Sequence, residues 1–376
     1  MKTFYEFFAG GGMARAGLGT GWNCLFANDF SQTKANSYRT NWGDKDLTVA
    51  DIYTLTANDL EAQADLAWAS FPCQDLSLAG SRAGLKGNRS GSFWGFWKLV
   101  QELNSQGRKP STIILENVYG ILTSHEGKDF EIIAKAIAAE GYVFGAMVID
   151  AVHFVPQSRP RVFIVCTDAK LSIPKDQIAR RPQPAWHPTK VIGAYNSLPK
   201  AVRAKWRWWK MPAPTHQLQT LDDIVEAEPK GVAWHTKKET NKLLSMMTPL
   251  NRKKVLEAQQ FGRLKVGTIY KRTRQGIQRA EVRFDGIAGC LRTPAGGSSR
   301  QIIMIVDGPE VRSRLLSPRE AARLMGLPET YKLPEKYNEA YHLAGDGVVV
   351  PVVAHISQNI LVPILDARPQ VKQKAA

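Results

Sequence analysis

A chain of 376 residues, 44% hydrophobic and 22% charged, carries enough apolar side chain to bury more than one core. No run approaches the roughly 18 consecutive apolar residues of a membrane span, and Met1-Lys2-Thr3-Phe4-Tyr5-Glu6 places an acid where an export signal would stay apolar, so a cytoplasmic protein is expected. The net charge of +16 is concentrated: residues 168–284 hold 24 Lys and Arg against 9 Asp and Glu, while the other 259 residues hold 26 against 25. That imbalance fits a segment facing a polyanion, with a solvated basic surface as the plainer alternative.

In chain order, the predicted strands are Thr3–Phe8, Cys24–Ala27, Leu66–Ser70, Thr112–Leu115, Val143–Ile149 and Arg161–Cys166. Helical patterns fall between them. Phe93, Phe96, Trp97, Val100 and Leu103 share one face, and a second helix over Lys128–Ala139 is closed by Gly141. Such alternation predicts an α/β fold with a Rossmann-like, doubly wound mixed sheet. The last two strands lack a helix between them and are expected to pair antiparallel at an edge.

The first strand runs into Phe8-Ala9-Gly10-Gly11-Gly12, a turn that lets backbone N–H groups approach a ligand. The second ends at Asp29-Phe30, a carboxylate for ribose hydroxyls and a ring for adenine. A third strand end reaches Asp51-Ile52, with a carboxylate for an adenine amino group. Together these predict a nucleoside cofactor. The next strand delivers Pro72-Cys73-Gln74 to the same edge, and the one after it delivers Glu116-Asn117-Val118. The four cysteines, Cys24, Cys73, Cys166 and Cys290, show neither metal-ligand nor disulfide spacing. Cys24 and Cys166 read as buried, whereas Cys73 sits among polar neighbours. A strand period of two would put Arg159 and Arg161 on one face, with Pro160 marking an edge.

After Asp168, proline and basic residues dominate and a second domain of irregular loops and short strands is expected, with Lys271, Arg272 and Arg274 clustered in it. The run Lys205-Trp206-Arg207-Trp208-Trp209-Lys210 interleaves cations and flat rings in a way that suits nucleic acid, although core packing explains one or two of its tryptophans equally well. Regularity returns at Ser317-Pro318-Arg319-Glu320, a predicted capping box opening a helix. The final apolar block, Val348–Leu365, is expected to return to the first sheet.

Read in order, these segments resemble the motifs of the cytosine-5 DNA methyltransferases. The pieces are Phe8–Gly12, Pro72-Cys73-Gln74, Glu116-Asn117-Val118, Gln157-x-Arg159-x-Arg161, Arg314–Glu320 and Ala344–Pro351, covering about 1–167 and 290–365. The resemblance implies a catalytic and cofactor-binding domain over 1–167, a basic target-recognition domain over 168–300, and a C-terminal segment, 301–376, that returns to the catalytic domain. It implies S-adenosylmethionine as methyl donor, held by Phe8, Gly10, Gly12, Asp29, Phe30, Asp51, Ile52, Pro72, Phe93, Asp346 and Val348, with no metal. At Asp346 the family usually has Asn. Cys73 would add to cytosine carbon 6, Glu116 would engage ring N3 and Arg161 the O2 carbonyl, while Arg159 would steady the loop carrying Cys73. Gln74–Arg89 reads as a loop able to close over an opened duplex. The expected partner of a monomeric enzyme is double-stranded DNA with the target base flipped out, in the cytoplasm at the nucleoid, with a cognate restriction enzyme possible. A tRNA cytosine-5 methyltransferase on the same fold is the main alternative.

Overall fold

The computed structural model describes residues 1–72, 91–214, 219–274, 276–293 and 300–368. Cys73 and the Gln74–Arg89 loop lie outside the described residues. Two compact units are present: one comprises Met1–Ile149, Pro160–Ala213 and the chain from Val352 onward, the other Asp150–Arg159 and Pro214–Pro351.

The first unit is built on a seven-stranded sheet of β1 (Lys2–Phe7), β2 (Trp22–Asp29), β3 (Leu47–Val49), β4 (Leu66–Ala69), β5 (Thr112–Val118), β6 (Tyr142–Asp150) and β7 (Pro160–Asp168). Their spatial order is β3-β2-β1-β4-β5-β7-β6. Strands β1 to β5 run parallel and β7 antiparallel to β5. Each predicted strand is present. The expected terminal pair closes one end of the sheet, with β7 between β5 and β6 and β6 outermost. β4 and β5 read Leu-Ala-Trp-Ala and Thr-Ile-Ile-Leu-Glu-Asn-Val and are almost wholly buried, as strands covered on both faces must be. Helix α1 (Met13–Leu18) follows β1, and α2 (Gln32–Trp42) follows β2. Helix Ser92–Ser105 buries the predicted Phe93, Phe96, Trp97, Val100 and Leu103 face. Helix Lys128–Ala139 ends where expected, with Gly141 at φ 79°.

Strand order reverses between β1 and β4. The connections from these two neighbours lead to opposite sides of the sheet, which opens a crevice at their carboxyl ends.

The Lys205–Lys210 run belongs to this unit. Trp206 is 5% and Trp209 0% exposed, and the Trp206 ring lies 5.4 Å from Phe144 and 5.3 Å from Trp208. Trp208 and Trp209 form the short strand β9, which pairs with β8 (Ile178–Ala179). Core packing therefore accounts for these tryptophans. Residues 352–368 also pack in this unit, through Trp22 Nε1 donating to Ser357 Oγ at 3.0 Å and Lys2 Nζ pairing with Asp366 at 2.7 Å. Pro363 follows a π-helical turn, Ser357–Leu361, that accommodates its missing N–H. Although no uninterrupted apolar run suggests it, Tyr337–Asp366 is long and apolar enough to cross a membrane by length and composition. Of its most apolar window 56% is buried in the protein, as a core helix would be.

The second unit is more regular than its sequence suggests. Strands β10 (Lys265–Arg274), β11 (Ile277–Arg283), β12 (Ile302–Asp307) and β13 (Glu310–Leu315) form an antiparallel sheet in the order β11-β10-β12-β13. Leu243 from helix Lys237–Ser245, Val255 and Ala258 from helix Pro249–Gln260, and Met247 from the link between them pack with Ile269, Ala280, Val282, Ile302 and Met304 from the strands. Ser317 caps helix Pro318–Leu324 in the predicted box with Glu320. Glu320 also pairs with Arg314 at 2.6 Å, both side chains fully buried. The units divide the chain differently from the expected segments. Residues 168–213 sit with the parallel sheet and 301–351 with the antiparallel one, so the basic segment contributes to both units.

Candidate active site

Adjacent strand ends are knitted together along the carboxyl edge of the parallel sheet. Ala9 N donates to Asn28 O at 2.9 Å, and Ser70 N to Phe7 O at 3.5 Å. Asn28 Nδ2 reaches the carbonyls of Thr48 and Ala50 at 3.0 and 2.9 Å. The Phe8–Gly12 turn is conformationally demanding: Phe8 has φ 57°, an uncommon conformation for a residue with a side chain and one costing about 1–3 kcal/mol. Gly10 has the same φ, and a Cβ added there would meet nothing within 4 Å, so open space lies over the turn. Gly12 is different. A Cβ at that position would run into Trp42, whose Nε1 donates to Gly11 O at 3.0 Å.

Asp29 is only 5% exposed. One carboxylate oxygen accepts from Gly10 N and the other from Ser31 N, each at 2.8 Å, so the acid read as a ribose acceptor also fastens the glycine turn to the end of β2. Phe30 is 72% exposed and offers a bare ring. Asp51 is exposed as well, with Oδ1 accepting from Tyr53 N at 3.0 Å, while Ile52 is buried beside Gly95. An open glycine turn, an exposed ring and an exposed carboxylate on three successive strand ends form a donor and acceptor set that fits an adenosyl group. Phe93 is buried, its ring 5.5 Å from both Phe71 and Trp97; Pro72 is exposed.

Glu6, on β1 beneath this turn, escaped sequence reasoning. It is 1% exposed, and its Oε1 accepts from Arg15 N at 3.3 Å. Helix α1 has no side-chain cap of its own, so this carboxyl serves its first turn from below. Burial pushes the Glu6 carboxyl up to about 8.

Glu116 and Arg161 come together. Arg161 Nε lies 3.2 Å from Glu116 Oε1, with side chains 17% and 10% exposed. Asn117 is a second residue that sequence reasoning passed over, although the Glu-Asn-Val motif displayed it as a polar side chain ending an apolar strand. Its Nδ2 donates to Phe71 O at 2.9 Å, two residues before Cys73, and its Oδ1 accepts from Val118 N at 2.8 Å. β5 thus supplies both a carboxyl and a clamp for the chain leading to the cysteine.

Arg159 and Arg161 do not share a strand face, because β7 begins at Pro160. Arg159 belongs to the second unit, where its guanidinium binds the carbonyls of Leu291, Gly345 and Gly347. Asp346 and Val348 are in that unit too, the first exposed and the second buried. Cys24 and Cys166 are buried, as expected. Burial raises both thiols, Cys24 to about 12, which makes them poor nucleophiles. Among the described residues no cluster of His, Cys, Asp or Glu is arranged to hold a metal.

A family model described as C-5 cytosine-specific DNA methylase matches residues 2–362. The Type II methyltransferase M.HhaI of Haemophilus parahaemolyticus is 26% identical over 362 residues, 95% of this chain and 93% of that protein. M.HpaII of Haemophilus parainfluenzae is 25% identical over 96% of this chain and 89% of its own length. Among solved structures, the Entamoeba histolytica methyltransferase EhMeth is similar at a TM-score of 0.65 and 13% identity, covering 98% of this chain and 99% of that one. The S. pombe Dnmt2 methyltransferase gives a TM-score of 0.60 and 18% identity, covering 95% and 97%.

Proposed function

The chain belongs to the C-5 cytosine-specific DNA methylase family, enzymes that methylate carbon 5 of cytosine in DNA, and we propose that Cys73, Glu116 and Arg161 carry that chemistry here. The methyl donor is S-adenosylmethionine, which supplies an electrophilic methyl group when bound. Carbon 5 of cytosine is too weak a nucleophile to take that methyl unaided. Addition of the Cys73 thiolate to carbon 6 makes carbon 5 enamine-like, and thiolate is the strongest nucleophile among the side chains. Glu116 holds a proton at ring N3, which withdraws electrons from carbon 6 and so lets the thiolate add there. Arg161 stabilises the charge that develops at O2. After transfer, a base takes the carbon 5 proton, the electrons re-form the ring double bond, and the thiol leaves. The observation that carries this reading is the Glu116–Arg161 pair at 3.2 Å, a carboxyl and a guanidinium side by side at the edge where the neighbouring strand β4 also ends.

Asp29, Phe30 and Asp51 would hold the adenosyl group, through ribose, ring and amino contacts respectively, with the Phe8–Gly12 turn approaching it closely. Carbon 6 of a paired base is out of reach, so the target cytosine must leave the stack. Readout of the flanking bases falls to the β10–β11 ribbon. β12 pairs with β10 only as far as Ile269, whereas β11 pairs with it to Arg274. The outer part is therefore two strands wide, bearing Lys271, Arg272 and Arg279, a shape the major groove admits. The Type II relatives are compatible with a further expectation, that the chain works in the cytoplasm with a restriction enzyme as a possible companion.

The test is a methyl-transfer assay with purified protein on duplex DNA and on tRNA, followed by bisulfite sequencing of the DNA. Transfer to duplex DNA at one sequence context supports the reading. Transfer to tRNA alone would replace it with the RNA alternative.

A further inference from the structure

The two faces of the β10–β11 ribbon carry different chemistry. Residues directly opposite one another share a face, and the register pairs Ile269 with Val282, Lys271 with Ala280, Tyr270 with Glu281 and Arg272 with Arg279. The first two pairs lie on the face that joins the core of this unit. Ile269, Ala280 and Val282 are at most 3% exposed and pack with Val255 and Ala258 of helix Pro249–Gln260. Lys271 is therefore on the helix side of the ribbon, whereas Tyr270, Arg272, Arg279 and Glu281 are on the other.

On that second face two arginines stand directly opposite each other, an arrangement that costs stability unless an acceptor lies between or beyond them. Glu281 is the one carboxylate in either strand. It lies diagonally from Arg272, its Oε2 3.4 Å from Nε. Arg283, further along the same face, is paired with Asp285 at 2.7 Å. Arg279 has no ion-pair partner among the described residues. Arg272 is also steadied by the Tyr270 ring, whose centroid is 6.0 Å from the guanidinium carbon. That ring is itself pinned, since its hydroxyl donates to Cys290 O and a Cβ on Gly289 would strike it. With Glu281 at Nε, the two Nη groups of Arg272 still offer four donors, on a side chain 48% exposed.

Phosphate would satisfy either charge, but a carboxylate beside the arginine repels phosphate and holds the planar fork in one direction, which a point attraction does not need. A guanine edge is neutral and offers two acceptors, O6 and N7, matched to that fork, whereas the major-groove edges of adenine, thymine and cytosine offer one acceptor or none. Side chains directly opposite across a ribbon start about 4.5–5.5 Å apart, and bases stack about 3.4 Å apart, so the two forks reach adjoining steps of a duplex. We propose that Arg272 and Arg279 read guanines in neighbouring base pairs of the recognised sequence, that Glu281 positions Arg272 for this, and that Lys271, on the helix face, meets phosphate alone. This rests on the reading that the ribbon enters the major groove.

The test uses the full-length protein and the duplex sequence that bisulfite sequencing shows it to methylate. Arg272→Lys and Arg279→Lys keep the charge and lose the fork. Each should retain the wild-type salt slope, bind the target about tenfold more weakly and lose discrimination at one base pair. Putting 7-deazaguanine, which lacks the N7 acceptor, at that base pair should weaken wild type by a similar factor and the matching Lys variant no further. Glu281→Gln should relax discrimination at the Arg272 base pair and leave that of Arg279 intact, which a general loosening of the ribbon would not do. Lys271→Ala should lower the salt slope by roughly one unit on every duplex. A recognised sequence without two neighbouring G·C pairs, or Lys variants that discriminate base pairs as wild type does, would overturn the proposal while a lowered slope in Lys271→Ala kept the ribbon on the DNA. If neither slope nor specificity changed in any variant, the ribbon would not face DNA, and the reading beneath the proposal would fall with it.

Discussion

Glu116 and Arg161 meet diagonally across two strands. In the β5–β7 register Arg161 lies opposite Val118, and Glu116 opposite Phe163, yet the guanidinium Nε reaches back two residues to the carboxylate at 3.2 Å. Diagonal neighbours in an antiparallel pair are within reach of long side chains. Only the insertion of β7 beside β5, running the opposite way, creates the diagonal.

That pairing predicts coupled losses. Glu116→Gln should lower kcat about 10²–10⁴-fold through the lost proton at N3, and Arg161→Met about 10²–10³-fold through the lost charge stabilisation. Because the two act on one ring, the double variant should fall well short of the product of the single losses. Single-turnover kinetics of the four proteins decide this, and fully multiplicative losses would mean that the groups act independently.

Cys73→Ser should abolish methylation while leaving S-adenosylhomocysteine affinity close to wild type, since only the covalent step is removed. A duplex with 5-fluorocytosine at the target should trap wild type covalently, because fluorine cannot depart as a proton does. Denaturing gels read the adduct, and turnover by Cys73→Ser at the wild-type rate would refute the nucleophile assignment.

Asn117→Ala should leave the Phe71 carbonyl without its 2.9 Å donor, at a cost of about 1–3 kcal/mol for a buried group left unsatisfied. It should reduce kcat by more than it weakens cofactor binding, because the clamp acts on the chain entering Cys73 and not on the glycine turn. Chemical denaturation and calorimetry separate the two effects. Equal losses in both would point to general loosening of the unit.

Glu6 predicts a pH dependence of stability. Its carboxyl titrates near 8 when folded against 4.5 as its ordinary value. Between those pH values the folded chain keeps a proton that the unfolded chain has released, so stability falls as pH rises, by up to roughly 1.4 kcal/mol per pH unit. Below the window both states are protonated, and above it both are ionised. Glu6→Gln removes this slope and should be more stable than wild type at pH 8 but little different at pH 4.5. Urea melts at pH 4.5, 6 and 8 measure it, and parallel curves for the two proteins would contradict the assignment.

Alanine at Lys271, Arg272 or Arg279 tests the β10–β11 ribbon. A side chain that touches only phosphate should weaken binding equally on all duplexes and lower the salt slope by roughly one unit. One that reads a base edge should cost about 1–3 kcal/mol at one position and relax specificity there. Binding to target and scrambled duplexes at several salt concentrations distinguishes them. No change in any of the three would place recognition elsewhere.

Sequence alone determined whatever depends on near neighbours in the chain. Glycines at Gly10 and Gly12 demanded a left-handed turn, the apolar runs Leu66–Ala69 and Ile113–Leu115 demanded a sheet covered on both faces, and Ser317 with Glu320 wrote a capping box, since each rule operates within a few residues. The same locality brought Glu116 and the end of β4 to one edge of the sheet, because parallel strands align their carboxyl ends. Contacts between distant residues were a different matter. Arg159 finds its acceptors 132, 186 and 188 positions away, and one residue of offset at the start of β7 removes it from the face of Arg161. For Trp206 and Trp209 the sequence left nucleic acid and core packing both open, and the fold packed them against its own core. Their exposure depends on what covers them, and only the tertiary structure supplied that cover.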